Sequence, residues 1–167
     1  MNLDAWLTRL QDTDWATAIR ESGSLFPWVE SVHVLALTLV VGSISVVDLR
    51  LLGWASRERP VRRVLGDVLP CTWIAFAIAT VSGGLLFSSN ALTYAHNPFF
   101  RVKIVALLAL GVNAAVFGQL TSRGIDGWDV APRPPLRVRA SGAFSLVLWI
   151  GVVLCGRWIG FTRLSGP

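Results

Sequence analysis

Four long apolar stretches constrain the fold of this chain more than any other feature of its sequence. Each contains 19 to 22 residues, and they run over Val32–Leu52, Val68–Phe87, Val102–Leu120 and Ala140–Phe161. A helix rises ~1.5 Å per residue, so about 20 residues are enough to cross a ~30 Å hydrocarbon layer. A soluble helix of that length would show a polar stripe, whereas these stretches are apolar nearly all round. The sequence therefore predicts an all-α integral membrane protein.

The length of the chain leaves room for one membrane domain. Of its 167 residues, 53% are hydrophobic, and the mean hydropathy is +0.59. Short connections between consecutive helices favour antiparallel neighbours. We therefore predict a four-helix up-down-up-down bundle over residues 25–162, with spans at about 27–54, 68–88, 98–120 and 139–161.

Residues 1–24 form a separate segment of mixed polarity. Its apolar residues recur at helical spacing, with acidic and basic residues between them, and they are Leu3, Trp6, Leu7, Leu10 and Ile19. A cleavable signal peptide would instead carry a continuous apolar run. The pattern predicts a short amphipathic helix that lies in the membrane interface.

The basic residues predict the orientation in the membrane. Nine of the 15 Lys and Arg residues fall in the first and third loops, as Arg50, Arg57, Arg59, Arg62, Arg63, Arg123, Arg133, Arg137 and Arg139. The positive-inside rule places these loops in the cytoplasm, and therefore both termini in the periplasm of a bacterial inner membrane. Because the basic residues lie in loops and at helix ends, they indicate a lipid bilayer as the partner and not a nucleic acid.

Three ionisable residues share one face of the first predicted span. They are Glu30, His33 and Asp48, which helical spacing aligns along the helix. Such side chains are costly inside a membrane and are usually functional. Glu30 and His33 fall one turn apart near the periplasmic end. Asp48 falls near the cytoplasmic end, where we expect it to pair with Arg50 at the interface.

Basic residues of the last two spans fall at the depth of the histidine. The third span is expected to begin at Asn97-Pro98, an N-cap residue followed by a proline in the first turn. We expect His33, Lys103 and Arg157 to face the bundle interior, with Glu30 within reach of a cation. The net charge of this level is positive, which favours an anionic ligand group. The predicted cluster comprises His33, Lys103, Arg157, Arg101 and Glu30.

Each member of this cluster also has an explanation that involves no ligand. Lys103 and Arg157 are close enough to helix ends to extend to the interface, and Glu30 could simply pair with one of them. His33 could hydrogen-bond across helices, or it could ligate a metal or a porphyrin iron. The sequence contains no P-loop, HExxH motif or Ser-His-Asp pattern, so it assigns no enzymatic reaction.

Several short motifs resemble those of an uncharacterised family of small four-helix bacterial membrane proteins. The resemblance covers about residues 25–162 and implies a four-helix fold without an assigned activity. Its motifs are Phe26–His33, Asp48–Gly53, Gly83–Phe87, Asn97–Lys103 and Gly156–Ile159.

The layout is also distantly similar to two other groups, the HemJ-like protoporphyrinogen oxidases and the CopD-like copper-resistance membrane proteins. Both place a histidine early in a helix that continues through a small residue to Arg-Leu, here His33, Gly42 and Arg50-Leu51. In the HemJ-like proteins a lysine early in a later helix matches Lys103. That likeness implies haem b and porphyrin oxidation. However, this chain has no histidine just after Arg50-Leu51.

Three functions from different classes follow from these observations. The first is a haem b or porphyrin protein with a redox role, in which His33 is the axial ligand and the cations meet the propionates. The second is copper or small-solute transport, although Met1 is the only methionine and soft ligands are scarce. The third is a structural or assembly subunit without catalysis, whose partner is a second copy or another subunit of a membrane complex.

The two cysteines do not predict a disulfide. Cys71 opens the second apolar stretch and Cys155 lies near the end of the fourth. In an alternating bundle these positions fall toward opposite membrane faces, far beyond the ~7 Å between Cα atoms that a disulfide tolerates.

Overall fold

A computed structural model of the chain describes residues 2–122 and 124–164, except for the side chains of residues 121, 122 and 162–164. Over these residues the fold is all-helical. Among the arginines counted above, Arg123 and the side chain of Arg163 lie outside this description. A short 3₁₀ turn at Ile125–Gly127 precedes the last helix. The α-helices are α1 Leu3–Gln11, α2 Asp14–Glu21, α3 Leu25–Leu52, α4 Val61–Ser89, α5 Ala91–His96, α6 Pro98–Ser122 and α7 Leu136–Leu164.

Four of these helices are long and apolar enough to cross a membrane. The candidate spans are Leu25–Leu52, Val61–Ser89, Pro98–Leu120 and Leu136–Phe161. Their outward side chains include exposed residues such as Leu35, Val105 and Val147. A continuous apolar surface of this kind is unfavourable in water and is the expected boundary with lipid. The prediction of four membrane-spanning helices is confirmed at this level.

The long helices pack through small and branched side chains. α3 packs closely on both α4 and α7, and α6 packs on α7. A buried cluster at mid-length joins all four helices through Val40, Ala75, Leu110, Trp149 and Val152. A second cluster lies where α3 ends, and it includes Val47, Leu51, Val61, Ile125 and Val138.

The loop after α3 and the segment before α7 meet at one end of the molecule, which we call the arginine-rich end. The amide of Val61 donates to the carbonyl oxygen of Asp129 at 3.0 Å, and the amide of Arg62 donates to its carboxylate at 2.7 Å. Gly53 ends α3 with φ of 75°, and a Cβ there would lie 2.9 Å from the carbonyl oxygen of Pro132. Only glycine satisfies both the left-handed backbone and this close approach.

The expected pairing of Asp48 with Arg50 is wrong. Over the described residues, no ion pair within 4.0 Å joins the two side chains. Arg50 is fully buried and donates to main-chain carbonyl groups of the two loops, including that of Arg59 at 2.8 Å and that of Asp129 at 3.2 Å. Two residues along a helix are about 200° apart, so the two side chains point in different directions.

The N-terminal segment forms two helices, where the sequence predicted one. The chain leaves helical geometry at Thr13, whose ψ is 149°, and α2 begins at the next residue with Asp14 in its first turn. The two helices pack against α4 and α5 at the end opposite to the arginine-rich end. Arg20 fixes this arrangement by donating to the carbonyl oxygens of Gln11 at 2.9 Å and Ser89 at 3.3 Å.

The predicted start of the third span is confirmed. α6 begins at Pro98, and the side-chain oxygen of Asn97 accepts the amide of Phe99 at 2.9 Å. This is the hydrogen bond of an N-cap residue. It places Lys103 in the second turn of α6.

Candidate functional site

His33 bridges α3 and α4 near the end that α1 and α2 cover. Its Nδ1 lies 3.0 Å from the carbonyl oxygen of Ala79 and 3.1 Å from the hydroxyl oxygen of Ser82. The Ser82 hydroxyl donates to the carbonyl oxygen of Ile78 at 2.7 Å, so toward His33 it acts as an acceptor. Both partners therefore assign the proton to Nδ1, which leaves the lone pair of the neutral ring on Nε2. Within the described part of the chain, Nε2 has no hydrogen-bond partner.

Gly83 leaves space for the His33 imidazole to pack against α4. A Cβ at this position would lie 2.9 Å from Cε1 and 3.4 Å from Nδ1 of His33. At Gly84, the next residue, a Cβ would meet nothing within 4 Å. The ring edge therefore occupies the space that a side chain of residue 83 would fill. Sequence reasoning identified this glycine pair within a motif but not its contact with the histidine.

Lys103 of α6 lies beside α7 at the level of His33. Its side chain is half-buried, and Nζ lies 3.8 Å from the Cβ position of Gly156. It is close enough to His33 for the two side chains to interact electrostatically. His33 and Lys103 thus form one group between the helices, which we call the His33–Lys103 pair.

An open cleft of about 560 Å³ lies at the same end of the molecule. It contains two of the predicted site residues, Glu30 and Arg157, together with one cation that sequence reasoning did not include, Arg20. The guanidinium carbon of Arg157 stands 5.1 Å from the centre of the Phe161 ring. The lining residues are Arg20, Phe26, Glu30, Asn90, Arg157, Gly160 and Phe161.

The His33–Lys103 pair lies about one helical turn deeper than this cleft. His33 follows the cleft residue Glu30 by three positions on α3, and Gly156 precedes the cleft residue Gly160 by four positions on α7. One turn of helix corresponds to about 5 Å. The cleft and the pair therefore form two successive levels, one at the surface and one between the helices.

The five predicted residues do not form a single cluster. The expectation that Arg157 faces the interior is wrong, because its side chain is exposed at the cleft. Glu30 is also exposed, and it forms no ion pair within 4.0 Å across the side chains that the structure describes. Arg101 points elsewhere, and its Nε donates to the carbonyl oxygen of Ala95 at 2.8 Å. The depth of a residue in the membrane can be counted along its helix. The direction of its side chain relative to the bundle depends on how the neighbouring helices pack.

The described residues contain no set of three or more His, Cys, Asp and Glu side chains placed to hold a metal ion. His96, the other histidine, ends the short helix α5, and its side chain is exposed. Its Nδ1 is 2.9 Å from the carbonyl oxygen of Leu92, and its Nε2 is 3.6 Å from the Asp4 carboxylate. A single side chain, His33, therefore offers an imidazole nitrogen between the long helices.

Four apolar helices with charged loops define a protein of the multi-pass membrane class. The chain belongs to DUF6644, a family of unknown function, whose family model matches residues 19–162. The resemblance to an uncharacterised family is thereby confirmed. No curated protein and no solved structure matches the chain. The likeness to HemJ-like and CopD-like proteins finds no support in these comparisons.

Proposed function

We propose that this chain is a multi-pass protein of the bacterial inner membrane that binds haem b or another metalloporphyrin through Nε2 of His33. The observation that carries the proposal is the pair of hydrogen bonds from Nδ1 to Ala79 and Ser82. A histidine that ligates a metal commonly donates its other ring N–H to a carbonyl group, which fixes the tautomer and orients the ring. The bound group would supply one-electron redox chemistry, and the protein would supply its ligand and its electrostatic surroundings.

The charges around His33 are suited to a porphyrin with two propionates. Arg20 and Arg157 line the cleft one turn outside the His33–Lys103 pair, and Glu30 is the acidic residue among the lining side chains. Cations at this rim would form charge-assisted hydrogen bonds with carboxylates, which are stronger than neutral ones. The volume of about 560 Å³ lies within the usual range of ligand pockets. Lys103 would be the second group at the level of the ring.

The topology that accompanies this proposal is an up-down-up-down bundle with both termini in the periplasm. The first loop and the segment before α7 meet at the arginine-rich end, where Arg50 donates to carbonyl groups of both, and we assign this end to the cytoplasmic side. The His33–Lys103 pair and the cleft would then lie at the periplasmic side.

A spectrum of the purified protein tests the haem proposal directly. Protein produced with ample haem supply should show a Soret band and a reduced-minus-oxidised difference spectrum. His33→Ala should lose the Soret band, because the axial ligand is removed. His96→Ala is the matched control and should keep the band, since the His96 side chain is exposed and lies outside the long helices. Arg157→Ala should retain haem less tightly without abolishing binding. Colourless wild-type protein, or an unchanged spectrum of His33→Ala, would refute the proposal.

A structural or assembly subunit is the second candidate, and the same hydrogen bonds favour it. They link α3 to α4, as does the hydrogen bond of 2.8 Å between the hydroxyl groups of Ser43 and Thr72. Under this alternative the polar side chains only hold helices together. Wild-type protein would then be colourless, and His33→Ala would lower the melting temperature without any spectral change.

A further inference from the structure

Besides the His33–Lys103 pair, an acidic group lies between the long helices, and the proposed function does not use it. Asp48 is only 3% exposed, near the arginine-rich end of α3. Its Oδ2 atom is buried and has no hydrogen-bond partner in the described part of the structure. A buried carboxylate without a compensating cation is strongly unfavourable, whereas a neutral carboxylic acid is much less so.

The surroundings of Asp48 are polar but not cationic. Ser145 of α7, which is itself buried, is the polar neighbour of the carboxyl group. One turn away, the Ser141 hydroxyl donates to the side-chain oxygen of Asn113 on α6 at 3.0 Å. A series of four polar side chains thus extends from α3 through α7 to α6, formed by Asp48, Ser145, Ser141 and Asn113. Each can donate or accept a hydrogen bond without bearing a charge.

Close packing of α7 on α3 encloses the acid. A Cβ at Gly142 would lie 3.1 Å from both the carbonyl oxygen of Asp48 and the Cβ of Leu51. Asp48 does not line the cleft described above, nor a second one at the arginine-rich end, which is lined by Glu58, Arg59, Pro60, Arg63 and Asp67. The small space at this contact favours the smallest ligand that can neutralise a carboxylate, which is a proton.

Charged groups on the neighbouring elements do not neutralise Asp48 in this arrangement. No ion pair within 4.0 Å joins Asp48 to any side chain that the structure describes. Arg139 is one turn from Gly142 on α7, and its Nε is itself buried without a hydrogen-bond partner among the described residues. Arg50, on the same helix as Asp48, donates to loop carbonyl groups. The other charged groups that the structure describes at this end lie in the two connections and at the neighbouring helix ends: Arg57, Glu58, Arg59, Arg62, Arg63, Asp67, Asp126, Asp129, Arg133 and Arg137.

We propose that Asp48 is a buried proton-binding site between α3 and α7. The carboxyl group holds its proton while Gly142 packs against α3, with Ser145 as its hydrogen-bonding neighbour. Release of the proton requires the two helices to separate at this contact, which would admit water or bring the Arg139 guanidinium to the carboxylate. The site is independent of His33, which lies about four turns away along the same helix.

Infrared spectroscopy of the full-length protein in lipid vesicles tests this site. At neutral pH the wild-type protein should show the carbonyl stretching band of a protonated carboxylic acid. Asp48→Asn should lose that band, because the amide is nearly isosteric and cannot carry the acid proton. Asp67→Asn is the matched control and should keep the band, since Asp67 is an exposed acid on α4. Absence of the band in the wild type, or its persistence in Asp48→Asn, would overturn the proposal.

A second variant keeps the test decisive if Asp48→Asn does not fold. Ser145→Ala retains the acid but removes its hydrogen-bonding neighbour, so the carbonyl band should shift in frequency without disappearing. An unshifted band in Ser145→Ala would contradict the proposed position of the proton. None of these infrared readouts depends on a bound porphyrin. The proton-site proposal can therefore hold if the haem proposal fails, and the haem proposal can hold if the proton-site proposal fails.

Discussion

At the scale of single residues, Arg50 is the side chain on which the arginine-rich end depends most. Its guanidinium is fully buried and reaches the carbonyl oxygens of Arg59 at 2.8 Å, Asp129 at 3.2 Å and Ala131 at 3.4 Å. The planar fork of arginine can serve several acceptors in fixed directions, which a lysine ammonium cannot do. From the sequence, Arg50 is one of nine arginines that predict topology. Its role was not predictable, because the acceptors on Asp129 and Ala131 belong to a segment about 80 residues away.

Substitution of Arg50 should destabilise the protein strongly. Arg50→Met leaves the carbonyl groups of two loops without their donor, and we expect a loss of about 2–3 kcal/mol. Arg50→Lys should be intermediate, because it keeps the charge but loses the fork. Arg63→Met is the control, since Arg63 is exposed and should change stability little. The measurement is the melting temperature of purified protein in detergent. Equal melting temperatures for Arg50→Met and Arg63→Met would contradict this account of Arg50.

At the scale of helices, the apolar stretches predicted where the spans lie but not where each helix ends. Val68–Phe87 became a helix over Val61–Ser89, because the polar ends of a membrane helix continue through the interface. The N-cap at Asn97 was predictable, since capping depends on residues that are adjacent in sequence. The contact of His33 with Ala79, Ser82 and Gly83 was not, because the rotation of α4 against α3 depends on tertiary packing.

The glycine pair on α4 provides a test of that packing. Gly83→Ala should displace the His33 ring, break its hydrogen bonds and cost about 1–3 kcal/mol, as overpacking typically does. Gly84→Ala should be neutral or slightly stabilising, because its Cβ would meet open space and alanine favours the helix. Thermal unfolding in detergent distinguishes the two variants. If Gly83→Ala melts at the temperature of Gly84→Ala or above it, the ring does not occupy the place described for it.

At the scale of the whole molecule, charged groups are separated along the length of the long helices. The mid-length cluster of Val40, Ala75, Leu110, Trp149 and Val152 divides the two ends. Asp48 and Arg50 lie on one side of it, and the His33–Lys103 pair lies on the other. A membrane protein with a site on each side of an apolar middle can respond differently to the two compartments. The direction in which the molecule is inserted therefore determines which compartment each site faces.

The asymmetry of basic residues predicts that direction. Nine of the 15 Lys and Arg residues lie in the first loop, in the segment before α7 or in the adjoining helix ends, so we expect this side to be cytoplasmic and the C-terminus periplasmic. Alkaline phosphatase fused after Pro167 should be active, because it folds only outside the cytoplasm, and a green fluorescent protein fused there should be dark. The matched control places each reporter after Glu58 in the first loop, where fluorescence should appear and phosphatase activity should not. The opposite pattern at both positions would reverse the orientation, and would place Asp48 at the periplasmic side and His33 at the cytoplasmic side.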